Sequence, residues 1–488
     1  MNKPIRTMAI FCMLLFLALM ANATWLQYVQ VSELNSEPDN RRVIEAAFSR
    51  ERGAILVGRN PVAESKKSDD KYEYQRTYPA PLKYAHLSGW FSYYSQSGIE
   101  RTQNEVLSGD DSRLFVNRLV DMLSNSQPKG GSVELTLERD VQEAAYDGLH
   151  ALGENVQGSV VALQPSTGRI LAMVSSPTFD PNKLASHDLA AVQRYDERLN
   201  NREDEPKLNR AIATTLPPGS TFKLVTATAA IENDGYNSDS LVPGGPSYQL
   251  PQTTGPDNRL GNGGRACGTD KIPLVQALEN SCNTTFLALA DQLGAEKMRA
   301  QAEAFGFNDT ALTDLRGQAP SRYPDDMNEP QTALSGIGQS SVTASPLQMA
   351  MVVGAIANDG MVMRPYLVDE IRSPDFDSLG QTEAQELSEA MSSGTAREMK
   401  EMMVSVVSEG TGTPAAIEGV EVGGKTGTAE SGREDVNNYA WFVSFAPADD
   451  PQVAVAVMIQ NANVPNDDIA GGRLAGPIAK AVMEAVIR

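Results

Sequence analysis

A serine and a lysine three residues apart are the pair in this sequence best suited to chemistry. Ser220 follows the turn-forming residues 217–219 (PPG), and Lys223 opens an apolar run that reaches about residue 231. This pattern predicts a turn that leads into a helix, on which Ser220 and Lys223 share a face. A helix N-terminus is partly positive, which disfavours a cation there and eases loss of its proton. A neutral lysine can accept the proton of a serine hydroxyl and so create a nucleophile.

The spacing S-x-x-K is a weak signal by itself. It occurs three times, and the other two copies begin at Ser68 and Ser126. The first copy lies in a charged loop and the second has a proline at its third position, so neither opens an apolar helix. A serine at a helix start is commonly an N-cap, and a helical lysine commonly faces water. The hypothesis for Ser220 therefore depends on the rest of the chain.

A second polar triplet is formed by residues 281–283 (SCN), between a predicted helix that begins near residue 273 and a second one. In such a loop Ser281 and Asn283 can both face a cleft and offer it a hydroxyl and an amide. The same two side chains can equally serve as helix caps.

A third polar segment, residues 425–428 (KTGT), is bordered by glycines and predicts a strand that a ligand can approach closely. Lys425 supplies positive charge and Thr426 a hydroxyl. A backbone N–H of this strand can pair with that of Ser220 to stabilise an oxyanion. The alternative is an ordinary glycine-rich strand.

Length and charge limit the classes of function. A chain of 488 residues, of which 41% are apolar, predicts two or three domains with substantial cores. The net charge of −21 argues against nucleic acid as a partner, because phosphate binding needs a basic surface. No group of Cys and His has the spacing of metal ligands, so we expect neither a metal site nor a cofactor.

The N-terminus predicts a membrane anchor. Lys3 and Arg6 precede an apolar run from residue 8 to about residue 26, and Trp25 stands at its far end. A basic flank, a span of roughly 20 residues and an aromatic exit are typical of one crossing with a cytoplasmic N-terminus. Residues 21–23 (ANA) also resemble a signal-peptide cleavage site. Both interpretations place the remaining chain outside the cytoplasmic membrane.

The cysteines agree with that compartment. Cys12 lies in the predicted span, whereas Cys267 and Cys282 both follow Ser220. A disulfide between the latter two suits an extracytoplasmic protein. Two free buried thiols are the alternative.

The remaining pattern predicts an α+β chain in three parts: an anchor (1–30), a smaller domain (31–155) and a larger domain (156–488). In the smaller domain we expect a helix near residues 112–123 and a strand at 132–137, and we find no catalytic pattern.

In the larger domain, a hairpin over residues 159–174 is followed by a helical middle. Strands return at 420–428, 440–445 and 453–460, before a closing helix that reaches about residue 487. Strands at both ends of a helical segment indicate an antiparallel sheet that distant parts of the chain complete, with helices packed against it.

The order S-x-x-K, S-x-N, K-T-G, with gaps of about 60 and 140 residues, resembles the penicillin-recognising serine acyltransferases, which are penicillin-binding proteins and serine β-lactamases. Further segments resemble the class B penicillin-binding proteins, in particular the actinobacterial penicillin-binding protein A type: residues 52–60 (RGAILVGRN, with Gly58 where an aspartate is usual), 98–100 (GIE), 107–109 (LSG), 344–350 (ASPLQMA) and 439–442 (YAWF, with tyrosine for a histidine). The resemblance thus extends over nearly the whole chain.

This resemblance implies a serine β-lactamase/transpeptidase-like fold, in which a helical subdomain flanks the antiparallel sheet. It implies that a single transmembrane helix and a smaller pedestal or dimerisation domain precede that fold. It also implies a disulfide between Cys267 and Cys282. The implied reaction is the cross-linking of peptidoglycan stem peptides that end in D-Ala-D-Ala, with β-lactam antibiotics as slow substrates.

The resemblance further implies a role for each motif residue. Ser220 is the acylated nucleophile and Lys223 its general base. Ser281 relays a proton to the leaving amine, and Asn283 holds the substrate amide. The remaining roles belong to the K-T-G strand: Lys425 and Thr426 bind the substrate carboxylate beside Gly427, and the N–H groups of Thr428 and Ser220 form the oxyanion hole.

Other classes of function fit less well. A Ser-His-Asp hydrolase is disfavoured because all three histidines precede Ser220. A β-lactamase is disfavoured because no E-x-x-L-N segment lies between Ser281 and Lys425. A penicillin-sensing receptor and a non-enzymatic scaffold for a glycan polymerase are the alternatives. Since residues 43–155 are too few for a glycosyltransferase domain, the resemblance implies a membrane polymerase of the shape, elongation, division and sporulation family as partner.

Overall fold

The part of the chain that this computed structural model describes comprises residues 3–30, 45, 48–115, 123, 129–153, 155–431, 437–462, 464–465 and 468–487. It begins with a 26-residue helix, Lys3–Tyr28, whose apolar side chains are exposed. The stretch Lys3–Leu26 is long and apolar enough to cross a membrane.

A five-stranded antiparallel sheet forms the centre of the larger domain. Its strands lie in the order Gly423–Ala429, Tyr439–Ala446, Val453–Asn461, Gln157–Leu163 and Ile170–Ser176. The predicted hairpin therefore pairs with the last strand of the chain, as the sequence pattern predicts. The α+β fold and the completion of the sheet by distant segments are confirmed.

Both faces of this sheet are buried. Successive strand residues point to opposite faces, and each face packs against its own core. Val160 belongs to a core covered by the helices Arg139–His150 and Gly476–Ile487. Val161 belongs to a second core, which contains the apolar helix Pro346–Ala357.

The helical subdomain lies on the side of the second core. Its helices span Arg210–Ala213, Lys223–Asp234, Leu274–Glu279, Asn283–Ala304, Glu329–Ser335 and Ser393–Ser408. The short helix Gly471–Leu474 packs on the first core instead, and the helix Leu189–Asn200 packs on a small separate cluster that contains Phe179. Two small two-stranded antiparallel sheets accompany the helices of the subdomain. One is formed by Ser247–Gln249 and Arg259–Gly261, and the other, formed by Leu241–Pro243 and Lys271–Pro273, encloses it in sequence.

A second, six-stranded sheet lies in the N-terminal part of the chain. Its order is Ser378–Gln381, Val368–Arg372, Ser132–Leu135, Ile55–Val57, Asn60–Lys67 and Tyr74–Thr77. The strand predicted at 132–137 is present. The two strands from residues 368–381 are absent from our sequence analysis, as is the pair Met361–Met363 and Glu386–Glu389. The predicted helix at 112–123 starts as a single turn, Ser112–Leu114, and most of its remainder lies outside the described residues.

Short helices (Pro81–Ser88, Gly98–Thr102 and Asn104–Ser108) complete this N-terminal part and place a carboxylate inside it. Glu100 accepts hydrogen bonds from Arg52 at 2.9 Å and from Arg76 at 2.6 Å, and all three side chains are at most 2% exposed. The Tyr78 hydroxyl donates to the same carboxylate at 3.2 Å. Residues of the RGAI and GIE segments thus meet in one buried ion cluster.

Candidate active site

Ser220 lies in a one-turn 3-10 helix, Gly219–Phe222, that continues directly into the helix Lys223–Asp234. Gly235 ends this helix in the left-handed conformation, in agreement with the sequence pattern. The Ser220 hydroxyl caps neither helix, and it has no hydrogen-bond partner in the described part of the chain. The interpretation of Ser220 as an N-cap is therefore wrong. Ser220 is 6% exposed, so a small part of its surface is accessible.

Glycines hold the turn that carries Ser220 in place. Gly219 is left-handed (φ +54°), and a Cβ there would lie 2.8 Å from the Thr428 carbonyl oxygen. On the other side, a Cβ on Gly338 would lie 2.3 Å from the Gly219 oxygen. The Gly219 N–H donates to the Gly338 oxygen at 3.1 Å. Contacts this close exclude any side chain and fix the position of Ser220 beside the strand Gly423–Ala429.

Lys223 is fully buried, and its amine is held by the S-x-N triplet. Nζ lies 2.7 Å from the Ser281 carbonyl oxygen, 2.7 Å from Asn283 Oδ1 and 3.2 Å from Ser281 Oγ. Burial lowers the pKa of Lys223 well below its usual range, and the charges of Lys425 and Arg265 lower it further. A neutral amine suits these neighbours, because its two N–H groups match two carbonyl-type oxygens and its lone pair can accept from a hydroxyl.

Ser281 joins the two lysines. It lies in the turn between the helices Leu274–Glu279 and Asn283–Ala304, in the left-handed conformation (φ +55°). Lys425 Nζ donates to Ser281 Oγ at 2.9 Å and to the Thr426 oxygen at 2.9 Å. Burial, and then the charge of Arg265, lower the pKa of Lys425 well below its usual range. The hydroxyl of Ser281 is thus shared by two amines that are poorly able to hold their protons.

The strand Gly423–Ala429 brings the third motif to the same place. A Cβ on Gly427 would lie 2.9 Å from Thr221 Cγ2 and 3.0 Å from Trp441 Cβ, so the strand passes directly beside the turn of Ser220. Thr426 and Thr428 are half-buried, and Thr426 Oγ1 lies 2.8 Å from Thr411 Oγ1. Contacts therefore connect all the motif residues that the sequence indicated into one site.

One residue of this site, Arg265, was not predicted from the sequence. Arg265 Nη1 donates to the Ser281 carbonyl oxygen at 3.0 Å. It belongs to the loop that carries Cys267, which forms the disulfide with Cys282. The signal that could have found it is that disulfide, because Arg265 stands two residues from one of its cysteines. Among the described residues, no group of three or more His, Cys, Asp and Glu side chains could hold a metal ion.

Comparison with known proteins agrees with this geometry. A family model described as "Penicillin binding protein transpeptidase domain" matches residues 158–484, and one described as "Penicillin binding protein A dimerisation domain" matches residues 52–133. The chain belongs to the class B penicillin-binding proteins. Its family activity is that of a peptidoglycan D,D-transpeptidase, and β-lactams acylate such enzymes.

Full-length relatives carry the same assignment. This class B penicillin-binding protein is 40% identical over 493 residues to "Peptidoglycan D,D-transpeptidase PbpA" of Mycolicibacterium smegmatis. The alignment covers 100% of this chain and 99% of the relative. It is 37% identical over 496 residues to the protein of that name from Mycobacterium tuberculosis, again over 100% and 99%.

Solved structures agree as well. The ceftriaxone acyl-enzyme complex of penicillin-binding protein A from M. tuberculosis superimposes with a TM-score of 0.85 at 37% identity, over 91% of this chain and 100% of that one. The penicillin G acyl-enzyme complex of the same protein has a TM-score of 0.83, over 90% and 100%. These complexes are acyl-enzymes of a homologous site.

Proposed function

We propose that this penicillin-binding protein cross-links stem peptides in two acyl-transfer steps on Ser220. In the first step Ser220 Oγ bonds to the carbonyl carbon of the penultimate D-Ala, and the amide bond to the terminal D-Ala breaks. In the second step an amine of a neighbouring stem attacks the ester, a new amide forms, and Ser220 regains its proton. The observation that carries the proposal is that two buried lysines both contact the Ser281 hydroxyl, close to Ser220, whose own hydroxyl caps no helix.

Lys223 is the proposed base for Ser220. Its hydrogen bonds in the described structure all go to Ser281 and Asn283. Hydrogen bonds between catalytic groups are often long before substrate binds, and they tighten in the Michaelis complex. We therefore place the Ser220–Lys223 proton transfer in the substrate-bound state.

Ser281 is the proposed relay to the leaving amine, since its hydroxyl contacts both amines. The half-buried Asn283 holds the substrate amide. Its Nδ2 at present donates to the Gly261 oxygen at 3.2 Å, a long bond that a substrate carbonyl can replace.

The K-T-G strand is the proposed binding edge. Lys425 is buried and already held by Ser281 and Thr426. The negative charge of a bound substrate carboxylate favours the protonated form of this amine, so Lys425 acts on the carboxylate through charge in the substrate-bound state. The half-buried hydroxyls of Thr426 and Thr428 make the direct contacts. The N–H groups of Ser220 and Thr428 form the oxyanion hole, which the close packing of Gly219 on Thr428 supports.

The proposed cellular setting is the outer face of the cytoplasmic membrane. The helix Lys3–Tyr28 serves as a single anchor, with Lys3 and Arg6 on the cytoplasmic side. We divide the chain into an anchor (1–30), a pedestal (31–155) and a transpeptidase domain (156–488). The matches at residues 52–133 and 158–484 support that division.

Because residues 43–155 are too few for a glycosyltransferase domain, a membrane glycan polymerase of the shape, elongation, division and sporulation family is the proposed partner. Co-purification with such a polymerase should be lost when residues 1–155 are exchanged for those of an unrelated single-pass protein. A control that exchanges residues 1–30 alone separates the anchor from the pedestal. Unchanged co-purification of the 1–155 exchange would exclude this docking surface.

The acyl-serine step is tested by intact-protein mass spectrometry of the full chain in detergent after incubation with benzylpenicillin. One stable adduct is expected on the wild type and none on Ser220→Ala. Ser68→Ala is the matched control, since Ser68 begins another S-x-x-K copy and should leave the adduct intact. Absence of any adduct on the wild type would refute the proposal. Rapid loss of the adduct would move the chain to the β-lactamases.

Transfer is distinguished from sensing by supplying a donor peptide that ends in D-Ala-D-Ala with an amine acceptor. Release of D-Ala together with a cross-linked product identifies a transpeptidase. A stable penicillin adduct without any product from peptides would favour the penicillin-sensing receptor.

A further inference from the structure

The loop at residues 261–267, which we call the tether loop, contacts each residue of the S-x-N turn and the residue after it. At its start, the Gly261 oxygen accepts from Asn283 Nδ2. Asn262 is 6% exposed, and its Oδ1 accepts from the Thr284 N–H at 3.0 Å. Asn262 Nδ2 also donates to Thr284 Oγ1 at 3.1 Å. The loop therefore grips the first turn of the helix Asn283–Ala304.

The far half of the tether loop grips the other two residues of the turn. Arg265 donates to the Ser281 carbonyl oxygen, and Cys267 is bonded to Cys282. Four consecutive residues, 281–284, thus each have a partner in the tether loop. Arg265 is largely exposed, yet one of its N–H groups points inward to the Ser281 carbonyl oxygen, which also accepts from Lys223 Nζ.

Ser281 needs such support because its backbone is left-handed (φ +55°). This conformation is strained for a residue other than glycine or asparagine, because Cβ comes too close to the following carbonyl oxygen. The left-handed turn directs the Ser281 carbonyl oxygen to Lys223 Nζ at 2.7 Å, while its hydroxyl meets both lysines. Loss of this conformation would remove two of the three hydrogen-bond partners of Lys223 and leave only Asn283.

We propose that Arg265 is a positioning residue for acylation, which fixes the Ser281 carbonyl on which Lys223 rests and places a fixed positive charge beside both lysines. The inference rests on the proposed role of Lys223 as the base for Ser220. The charged groups that face Lys223 are Lys425 from the K-T-G strand and Arg265 from the tether loop. No carboxylate of the described residues pairs with either lysine.

Two consequences follow for the rate of acylation. The hydrogen bond to Ser281 sets the geometry and affects the rate at every pH. The positive charge of Arg265 repels the protonated form of Lys223 and therefore favours its neutral form, which is the form that can act as the base. Removal of the charge should raise the pKa of Lys223 and so move the acidic limb of the pH–rate profile to higher pH.

The test is the second-order rate of Ser220 acylation by a fluorescent penicillin between pH 5 and pH 9, measured on the full chain in detergent. For Arg265→Gln we expect a loss of roughly tenfold at pH 7 that shrinks toward pH 9, with the acidic limb at higher pH. For Arg265→Lys, which keeps the charge but not the planar fork, we expect a lower rate with the limb unmoved. Arg259→Gln is the matched control, because Arg259 is exposed in the preceding strand, and it should match the wild type.

A uniform loss in Arg265→Gln with no movement of the limb would overturn the proposal and leave a structural role only. A limb that moves in Arg265→Lys would overturn it as well, and this holds even if Arg265→Gln fails to fold. Failure of the proposed function is recognised separately, because Ser220 would then remain unlabelled in the wild type, or Lys223→Ala would label as fast as the wild type.

Discussion

Substitution of Glu100 by Gln should destabilise the N-terminal sheet by about 3–5 kcal/mol. Glutamine keeps the volume of the side chain, so the change leaves no cavity. It removes the negative charge that lies between Arg52 and Arg76, two residues that are each 3% exposed. Two guanidinium charges then remain buried without their partner, which is the costly way to break a buried ion cluster.

The effect should also depend on pH. Burial by itself would raise the pKa of Glu100, but Arg76 and Arg52 lower it below its usual value. A carboxyl group whose pKa is depressed by folding stabilises the folded state above its unfolded pKa of about 4.3. That stabilisation is lost as the pH falls through the folded pKa. The wild type should therefore approach Glu100→Gln in stability as the solution is acidified.

Calorimetry of the full chain in detergent measures this effect. At pH 7 the transition of the N-terminal part should fall by at least about 6 °C in Glu100→Gln. Glu143→Gln is the matched control, because Glu143 pairs with Lys83 at 3.1 Å in a partly exposed ion pair worth at most about 1 kcal/mol. A Glu100→Gln protein that melts together with the control at pH 7 would refute the argument.

Three further predictions concern the candidate active site and the half-buried His86. Lys223→Ala should slow the labelling of Ser220 by fluorescent penicillin at least about 100-fold at pH 7, and unchanged labelling would exclude Lys223 as the base. Gly338→Ala should also slow labelling, because its Cβ would lie 2.3 Å from the Gly219 oxygen, whereas Gly317→Ala adds a methyl in open space at a similar φ and should not. Burial lowers the pKa of His86 to about 4, so stability should fall by about 3 kcal/mol as the pH drops from 6.5 toward 4, and His86→Gln should flatten that slope in pH-dependent calorimetry.

The sequence predicts the cleft well because each motif carries a local signal. The proline and glycine before Ser220, the apolar run after Lys223 and the glycines around Thr426 each indicate a backbone geometry. The helix starts at Lys223, as the sequence predicts, but the lowered pKa of Lys223 is caused by burial and then by the charges of Lys425 and Arg265. Burial depends on Phe286 and other packed neighbours that no local pattern reveals.

The N-terminal sheet shows where local signals end. In the strand Val368–Arg372 only the first residue is fully buried, and the other four are half-buried and mostly charged. The strand therefore lacks the alternation of apolar and polar residues that marks a half-buried strand. Its partner, Ser132–Leu135, is recognisable as a strand, yet nothing in either segment specifies the other. Arg265 was missed for a related reason, since it stands among glycines in a loop without periodicity.

The order in which this sheet can form follows from its topology. Arg372 bonds to Glu134 across 238 residues of sequence. Most helices of the helical subdomain, and the motif residues from Ser220 to Asn283, lie between them in the chain. A chain that emerges N-terminus first can pair Ile55–Val57 with Ser132–Leu135, but the other edge of the latter strand must wait for residues 368–372. Until then that edge is open to pairing with other chains. The last contacts of the N-terminal sheet therefore form only after the segment that carries Ser220 has been made, which couples the folding of the pedestal to that of the enzyme.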